Sequence, residues 1–463
     1  MMQSFSLTEA LSWLGATAAG ASLEGLVFRG VSTDTRNIGA GDLFVALRGE
    51  NFDGHDYLAA AQKAGAVAAV VDKADPDLAL PQILVPDTID ALAKLAAGNR
   101  NVSSARFVAI TGSSGKTTVR EMVAAILSRV GNTLATEGNL NNHIGVPLTL
   151  FRLAPEHEYG AIELGASGLN EIAHTVNIVR PDVSILTNAG QAHLEGFGGY
   201  DNIVLAKGEI IDGVAPSGLV VLNRDDPAFE KWQRRAGERR VVGVSKQAGA
   251  GGDYFSDGVR DDGSSLAFRA CGPGGWACDV SLSLHGEHNI TNALLAIAAA
   301  RELGASDDAV QQGLASVQAV KGRLQILELS SGLTVIDDSY NANPASIKAA
   351  LGVLAALPAS RVAVLGAMAE LGPDSLALHR EVGEFARTMG IERLLVVGDG
   401  CEGYVEGFGD AAEVCATHDD AVRRLFEGPA DSLTVLVKGS RSSAMDRVVE
   451  GIKEKVGNAC CSG

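Results

Sequence analysis

At 463 residues, 46% hydrophobic and 20% charged, the chain is long enough for about three domains at the usual ~100–200 residues each, which excludes a small binding module. It carries no low-complexity tract and no sustained block of like charge, which argues against intrinsic disorder. With 38 Lys and Arg against 56 Asp and Glu, the net charge of -18 disfavours non-specific attraction to nucleic acid or to an anionic lipid face, so any phosphate site has to be built locally.

The opening MMQSFSLTEALSWLGATAAG has no basic start before an apolar core, and no stretch reaches the ~18 apolar residues of a membrane span. A cytoplasmic protein is expected. Up to residue 85, LVFRGVSTDTR and DLFVALRG read as strands, HDYLAAAQKAGA as a helix, and AVAAVVD and QILV as strands, which together suggest a small α/β domain, 1–85. Residues 88–100 read as a helix leading into the strand RFVAIT, so a second domain, 86–320, opens near Pro86. Its apolar runs FVAIT, VSILTN and LVVLN alternate with amphipathic stretches, as in a parallel sheet with crossover helices. Residues 251–286 are rich in turn formers around short alternating runs, as in antiparallel hairpins added to that sheet. From Leu333 onward, LTVIDD, RVAVLG, RLLVVG and TVLVKGS alternate with helical segments, so 321–463 reads as a doubly wound, Rossmann-like third domain. The six cysteines (Cys271, Cys278, Cys401, Cys415, Cys460, Cys461) include no C-x-x-C pair and no zinc spacing, so reduced structural thiols are expected.

The strongest chemical signal is Arg106 to Thr118, where an apolar strand runs into Gly112-Ser113-Ser114-Gly115 and then into a helix. The glycines let backbone amides close around phosphate, Lys116 supplies a point charge, and Thr117, followed by Thr118, offers a hydroxyl to Mg²⁺. Val119, Met122, Val123, Ile126, Leu127 and Val130 repeat on one helical face. Ile110 stands where the usual motif has its first glycine, leaving a shortened loop. Glu163 closes a strand and His193 follows one, where parallel sheets place ligands; read alone, an edge carboxylate and a loop histidine are the favoured readings. Lys207, by residue type, is a surface lysine paired with acids. Asn289 is placed to cap a helix whose apolar face is Ile290, Leu294 and Ile297, with Asn292 one turn on. Lys321-Gly-Arg323 could clamp phosphate. Asp338 closes a strand before a polar turn in which Asn343 is placed to cap the next helix. Lys438, Ser440 and Arg441 follow another strand and suit a carboxylate or phosphate, though solvated cations are as good a reading.

Taken together, these segments resemble the Mur ligase family, ATP-dependent amide-forming enzymes of peptidoglycan assembly, in order and over essentially the whole chain. Gly138 to Thr149 (GNLNNHIGVPLT), Asp338 to Ser346, Glu370-Leu-Gly with His379, and Val437 to Ser442 are similar to the MurF-type branch, which adds D-alanyl-D-alanine to UDP-N-acetylmuramoyl-tripeptide. The resemblance implies three α/β domains: one holding the UDP end, a central ATP-binding one, and a third that closes over ATP. It implies Gly112 to Thr118, Asn289, Asn292, Arg323 and Asp338 for ATP, and Thr117, Glu163, His193 and Lys207 for two Mg²⁺ ions. Lys207 would be carbamylated, reversing its reading as a surface group. Lys116, Lys207, His193 and Arg323 would be catalytic. Ser32, Asp34 and Arg36 would meet uridine, and Asn139, Asn142, Asn343, Lys438, Ser440 and Arg441 the peptide or dipeptide. Ala367 stands where the family pattern has Asp. The expected partners are these small molecules, with no nucleic acid and a monomeric chain. The rival readings are another Mur-type amide ligase, such as the third-residue-adding enzyme or a folylpolyglutamate synthase, and a phosphate-loop kinase or ATPase.

Overall fold

Three large sheets, of five, nine and six strands, organise the computed structural model, which describes residues 2–19, 23–192, 194–261, 265–330, 332–427 and 432–460. The five-stranded sheet runs Thr17–Ala19, Gln82–Leu84, Ala68–Val71, Leu43–Val45, Val31–Ser32, antiparallel only at its first pair. LVFRGVSTDTR, expected as one strand, is two. Val27–Phe28 pairs with Phe5–Ser6, and Val31–Ser32 joins the sheet. The break falls at Gly30, where a side chain would overlap the Asp42 carboxylate. Beyond it, Asp34 Oδ1 accepts the Arg36 amide at 2.9 Å and turns the chain.

The helix Thr88–Asn101 starts on Asp87, whose carboxylate accepts the Ile89 and Asp90 amides. It packs on Leu7–Leu14 of the first unit and on Gly145–Leu150 and Glu171–Val179 of the second. One apolar cluster therefore runs unbroken from Met2 to Ala236.

In the nine-stranded sheet the order is Trp276–Leu282, Leu266–Gly272, Tyr254–Asp261, Arg240–Gln247, Leu219–Asn223, Val183–Leu186, Arg106–Thr111, Tyr159–Glu163, Thr133–Ala135. All neighbours are parallel except the two hairpin pairings among its first three strands, in the turn-rich segment where hairpins were expected. The helix His288–Glu302 buries every residue from Ile290 to Ala300 except Thr291, not a single stripe, because it lies between the helix Lys116–Leu127 and the strands Leu219–Asn223 and Arg240–Gln247. Val130 departs from its expected place: it falls past the end of Lys116–Leu127 and is 38% exposed.

The six-stranded sheet runs Gln325–Ser330, Leu333–Asp338, Leu433–Lys438, Ser360–Gly366, Arg393–Val397, Ala412–Cys415, with only the first strand antiparallel. Separate apolar clusters cover its two faces, the doubly wound arrangement expected. Cys271, Cys278, Cys401 and Cys415 are free thiols, while the Cys460 side chain and Cys461 lie outside the described residues. Among the described residues no helix is long and apolar enough to cross a membrane.

Helices Ser375–Thr388 and Glu402–Phe408 touch through glycine, since a side chain at Gly407 would overlap the Arg380 carbonyl oxygen. Gly407→Ala is expected to destabilise the third sheet's unit by about 1–3 kcal/mol despite the better helix propensity of Ala, measured by denaturant unfolding.

Candidate functional site

The strand Arg106–Thr111 is buried from Phe107 onward, and its carboxyl end opens into the loop Gly112–Gly115. Gly112 has φ 150° and Gly115 φ 79°, and a Cβ at Gly115 would lie 2.8 Å from Asn292 Oδ1. Both positions need glycine. The neighbouring strand end pins the loop: Thr187 Oγ1 donates to the Ser114 carbonyl at 2.6 Å, and Asn188 Oδ1 accepts the Ser114 amide at 3.0 Å. Ser113 donates its amide to the Asn188 carbonyl at 3.0 Å. Lys116 Nζ donates to the Gly112 carbonyl at 2.8 Å. Desolvation lowers the Lys116 pKa, Glu163 opposes the shift, and Arg323 adds to it. Thr117 is buried in the first helical turn.

Glu163 ends its strand and is 2% exposed. Its Oε1 accepts from Asn141 Nδ2 at 2.8 Å, whereas Oε2 is buried with no hydrogen-bond partner. An ionised oxygen buried without a donor is costly, and a cation removes that cost. Among the described residues no group of three His, Cys, Asp or Glu could hold a metal. Mg²⁺ suits this sparse set, because it takes one or two protein oxygens and completes its shell with phosphate and water. His193 lies outside the described residues.

Asn141 was not singled out from the sequence, although it sits inside GNLNNHIGVPLT; only the fold aims it at Glu163. Asn139 and Asn142 line the same cavity, and Asn142 Oδ1 also braces the start of the helix Gly145–Leu150 by accepting the Gly145 amide at 2.8 Å. Thr187 and Asn188 were missed too. Their only sequence signal is a polar pair closing an apolar strand.

Lys207 overturns the surface reading made from its residue type. It lies on the inner face of the helix Tyr200–Asp212 and is 2% exposed. Its Nζ donates to the Ala166 carbonyl at 3.3 Å and sits 5.2 Å from the Phe197 ring. The acids nearby are held by backbone: Glu209 accepts the Asn170 and Ala173 amides, and Glu171 the Ser167 amide. Burial first, and Lys116 second, lower its pKa to about 7 against the pull of Glu171 and Glu209. Burial thus favours the neutral amine over the ammonium form.

Asn289 does not cap its helix. Glu287 holds that position, and Asn289 Nδ2 instead donates to the His285 carbonyl at 2.7 Å while its Oδ1 accepts from Asn292 at 2.9 Å. Asn292 thus abuts Gly115. Burial, with Lys438 adding, pushes the neighbouring His288 down to about 4.

The third sheet supplies the opposite wall. Arg323 stacks 4.3 Å from the Tyr340 ring, while Lys321 turns outward to Glu450 at 3.3 Å, so only the arginine of that pair faces inward. Buried Lys438 pairs with Asp338 at 2.6 Å and donates to the Asn341 carbonyl at 2.8 Å; it is not the solvated cation its residue type allowed. Burial raises the Asp338 pKa against that ion pair. Asn343 caps Pro344–Ala356, accepting the Ser346 amide at 2.8 Å, as its position in the polar turn implied.

The two walls enclose a cavity of about 630 Å³ that gathers Ser113 to Thr118, Glu163, Asn289, Asn292, Arg323, Asp338, Asn343 and Lys438. Ser440 and Arg441 are outside its wall, with the Arg441 guanidinium 5.5 Å from the Tyr340 ring. Ser32, Asp34 and Arg36 are also outside it, in the first sheet's turn, where the hydrogen bonds from Arg36 hold the Asp34 pKa at about 2.

Comparison with known proteins covers most of the chain. Residues 27–100 match the Mur ligase family catalytic domain, 110–300 the Mur ligase middle domain, and 322–441 the Mur ligase glutamate ligase domain. UDP-N-acetylmuramoyl-tripeptide--D-alanyl-D-alanine ligase of Escherichia coli (strain K12) is 45% identical over 92% of this chain and 93% of its own. MurF from Acinetobacter baumannii superposes with a TM-score of 0.92 at 34% identity, covering 98% of this chain and 99% of its own. MurF ligase from Thermotoga maritima in complex with ADP gives 0.85 at 29% identity, covering 93% and 98%.

Gly115→Ala would place a side chain at positive φ and against Asn292. The left-handed backbone alone costs an alanine about 1–2 kcal/mol, so ATP affinity is expected to fall about tenfold or more, read by calorimetric titration of the folded variant.

Proposed function

The chain belongs to the Mur ligase family, and from that membership we propose that it joins D-alanyl-D-alanine to UDP-N-acetylmuramoyl-tripeptide with conversion of ATP to ADP and phosphate, a step of peptidoglycan precursor synthesis. The observation that carries this reading is the single cavity in which Lys116, the half-partnered Glu163 and Arg323 of the third sheet converge. A phosphate-loop switch needs only the first of these.

In this reading residues 1–85 hold the UDP end, with Ser32, Asp34 and Arg36 at the uridine, 86–320 bind ATP, and 321–463 close over it. A free carboxylate is too poor an electrophile for an amine, so the tripeptide carboxylate first attacks the γ-phosphorus, ADP leaves, and an acyl phosphate forms. The dipeptide amine then adds to the acyl carbon, and phosphate departs as the amide forms and the amine loses its proton. Mg²⁺, held by Thr117, Glu163 and the His193 position, would neutralise charge on the phosphates. Lys116 and Arg323 approach the transferring group from opposite walls and stabilise the charge that spreads over it, the main catalytic task in phosphoryl transfer. Asn289 and Asn292 serve the adenine side, and Asp338 the ribose. Asn139, Asn142, Asn343, Lys438, Ser440 and Arg441 serve the peptide acid and the dipeptide. The neutral Lys207 amine adds to CO₂ and releases a proton, which puts a carboxylate-like ligand where a buried amine stood.

Phosphate release measured with the UDP-muramoyl-tripeptide and D-alanyl-D-alanine, singly and together, is expected only when both accompany ATP; release without the dipeptide would remove the ligase reading. Lys207→Ala is expected to lose turnover that short carboxylates partly restore. Because the amine is neutral above about 7 and protonated below it, the wild-type enzyme is expected to depend increasingly on added bicarbonate as the pH falls through that value. Turnover indifferent to both treatments would reject the carbamate.

A further inference from the structure

We propose that His379 is a positioning residue for this ligation, fixing the turn after Gly366 so that its carbonyls hold the Ser440 segment on one side and dock the third sheet against the central unit on the other. The inference rests on the ligase reading above and concerns a residue outside the cavity.

His379 is fully buried on the helix Ser375–Thr388. Its Nε2 accepts the Met368 amide at 2.9 Å, and its Nδ1 donates to the Ser375 carbonyl at 2.7 Å. One nitrogen accepts and the other donates, which requires the neutral ring. Tyr404 meets that ring edge-on at 4.6 Å, and Gly403 packs against its Cβ, so the imidazole cannot swing away. The clamped turn is strained: Glu370 sits at φ 60°, a region an L side chain rarely adopts. Anchors at its ends hold it there.

Two carbonyls of the turn then reach outward. That of Ala367 accepts the Ser440 amide at 3.1 Å, and that of Glu370 accepts the Glu195 amide at 3.1 Å across the seam between sheets. Glu195 belongs to the short helix Leu194–Phe197, whose Phe197 ring faces the Lys207 amine. Leu194 packs into the apolar clusters of both units. These contacts run through backbone atoms, so Ala367 can stand where the family pattern has Asp without loss of either.

The test varies each substrate in steady-state kinetics and follows amide hydrogen exchange at Met368 and Glu195. His379→Leu is expected to lower kcat/KM for D-alanyl-D-alanine about 10–100-fold, leave the Kd of a non-hydrolysable ATP analogue within about twofold, and speed exchange at both amides. His379→Gln, whose Oε1 can accept the Met368 amide, is expected to recover most of the loss. Glu195→Pro removes the amide that crosses the seam, in a first helical turn where proline is tolerated, and is expected to reproduce the kinetic signature, whereas Glu195→Ala, which loses the carboxylate and keeps the amide, is expected to stay near wild type. If His379→Leu does not fold, Glu195→Pro decides alone. Unchanged kinetics in folded His379→Leu, a loss shared equally by ATP binding and not recovered by Gln, or an inert Glu195→Pro overturns the inference. If the wild-type enzyme releases phosphate without the dipeptide, the ligase reading falls, and the exchange comparison still decides whether His379 holds the seam.

Discussion

Two lysine amines, Lys116 and Lys207, stand within Coulombic reach of each other in desolvated surroundings, and the Arg323 guanidinium faces Lys116 from the opposite wall. Arg323 raises the cost of charge on Lys116, and Lys116 that of charge on Lys207. The nearby acids answer this only in part. Glu163 pulls on Lys116 with one oxygen lacking any donor, while Glu171 and Glu209 are held by backbone amides. In a chain of net charge -18, Lys116 and Arg323 facing one cavity are a local concentration of positive charge suited to a polyphosphate.

The fold makes this concentration possible by aiming strand ends at one place. The central sheet presents the carboxyl ends of Arg106–Thr111, Tyr159–Glu163 and Val183–Leu186, and the third sheet those of Leu333–Asp338 and Leu433–Lys438. A parallel strand end has already made its ladder hydrogen bonds, so the loop that follows is free to turn amides and side chains toward a ligand. The first unit shares its apolar core with the central one through Thr88–Asn101. The third sheet has its own clusters, with Leu194 packed into a cluster on each side. Apolar packing is thus continuous on one side of the cavity and sparse across it, the arrangement in which a hydrogen-bonded seam can set how the walls meet.

Polar groups near the cavity divide into those engaged within the protein and those left open. Asn142, Asn343 and Asn289 each use part of their side chains on local backbone, capping or bracing helices at the cavity rim. Asp338 and Lys438 neutralise each other inside the third sheet. Glu163 Oε2 stands apart as a buried oxygen with neither partner.

The alternation of apolar runs with amphipathic stretches, the turn-rich hairpin segment, the strand-glycine-helix order at Gly112–Lys116 and the capping role of Asn343 were all legible in the chain, because period, capping and backbone freedom are decided within a few residues. The resemblance grouped residues far apart in the chain into one expected site. What was not legible is everything that depends on stacking distant elements: the burial of Lys207, the donor from Asn141 to Glu163, the pairing of Asp338 with Lys438, the outward turn of Lys321, and the split of LVFRGVSTDTR at Gly30. Desolvation and Coulombic energy follow the distance and dielectric between groups in space, and neither is written in residue type or spacing.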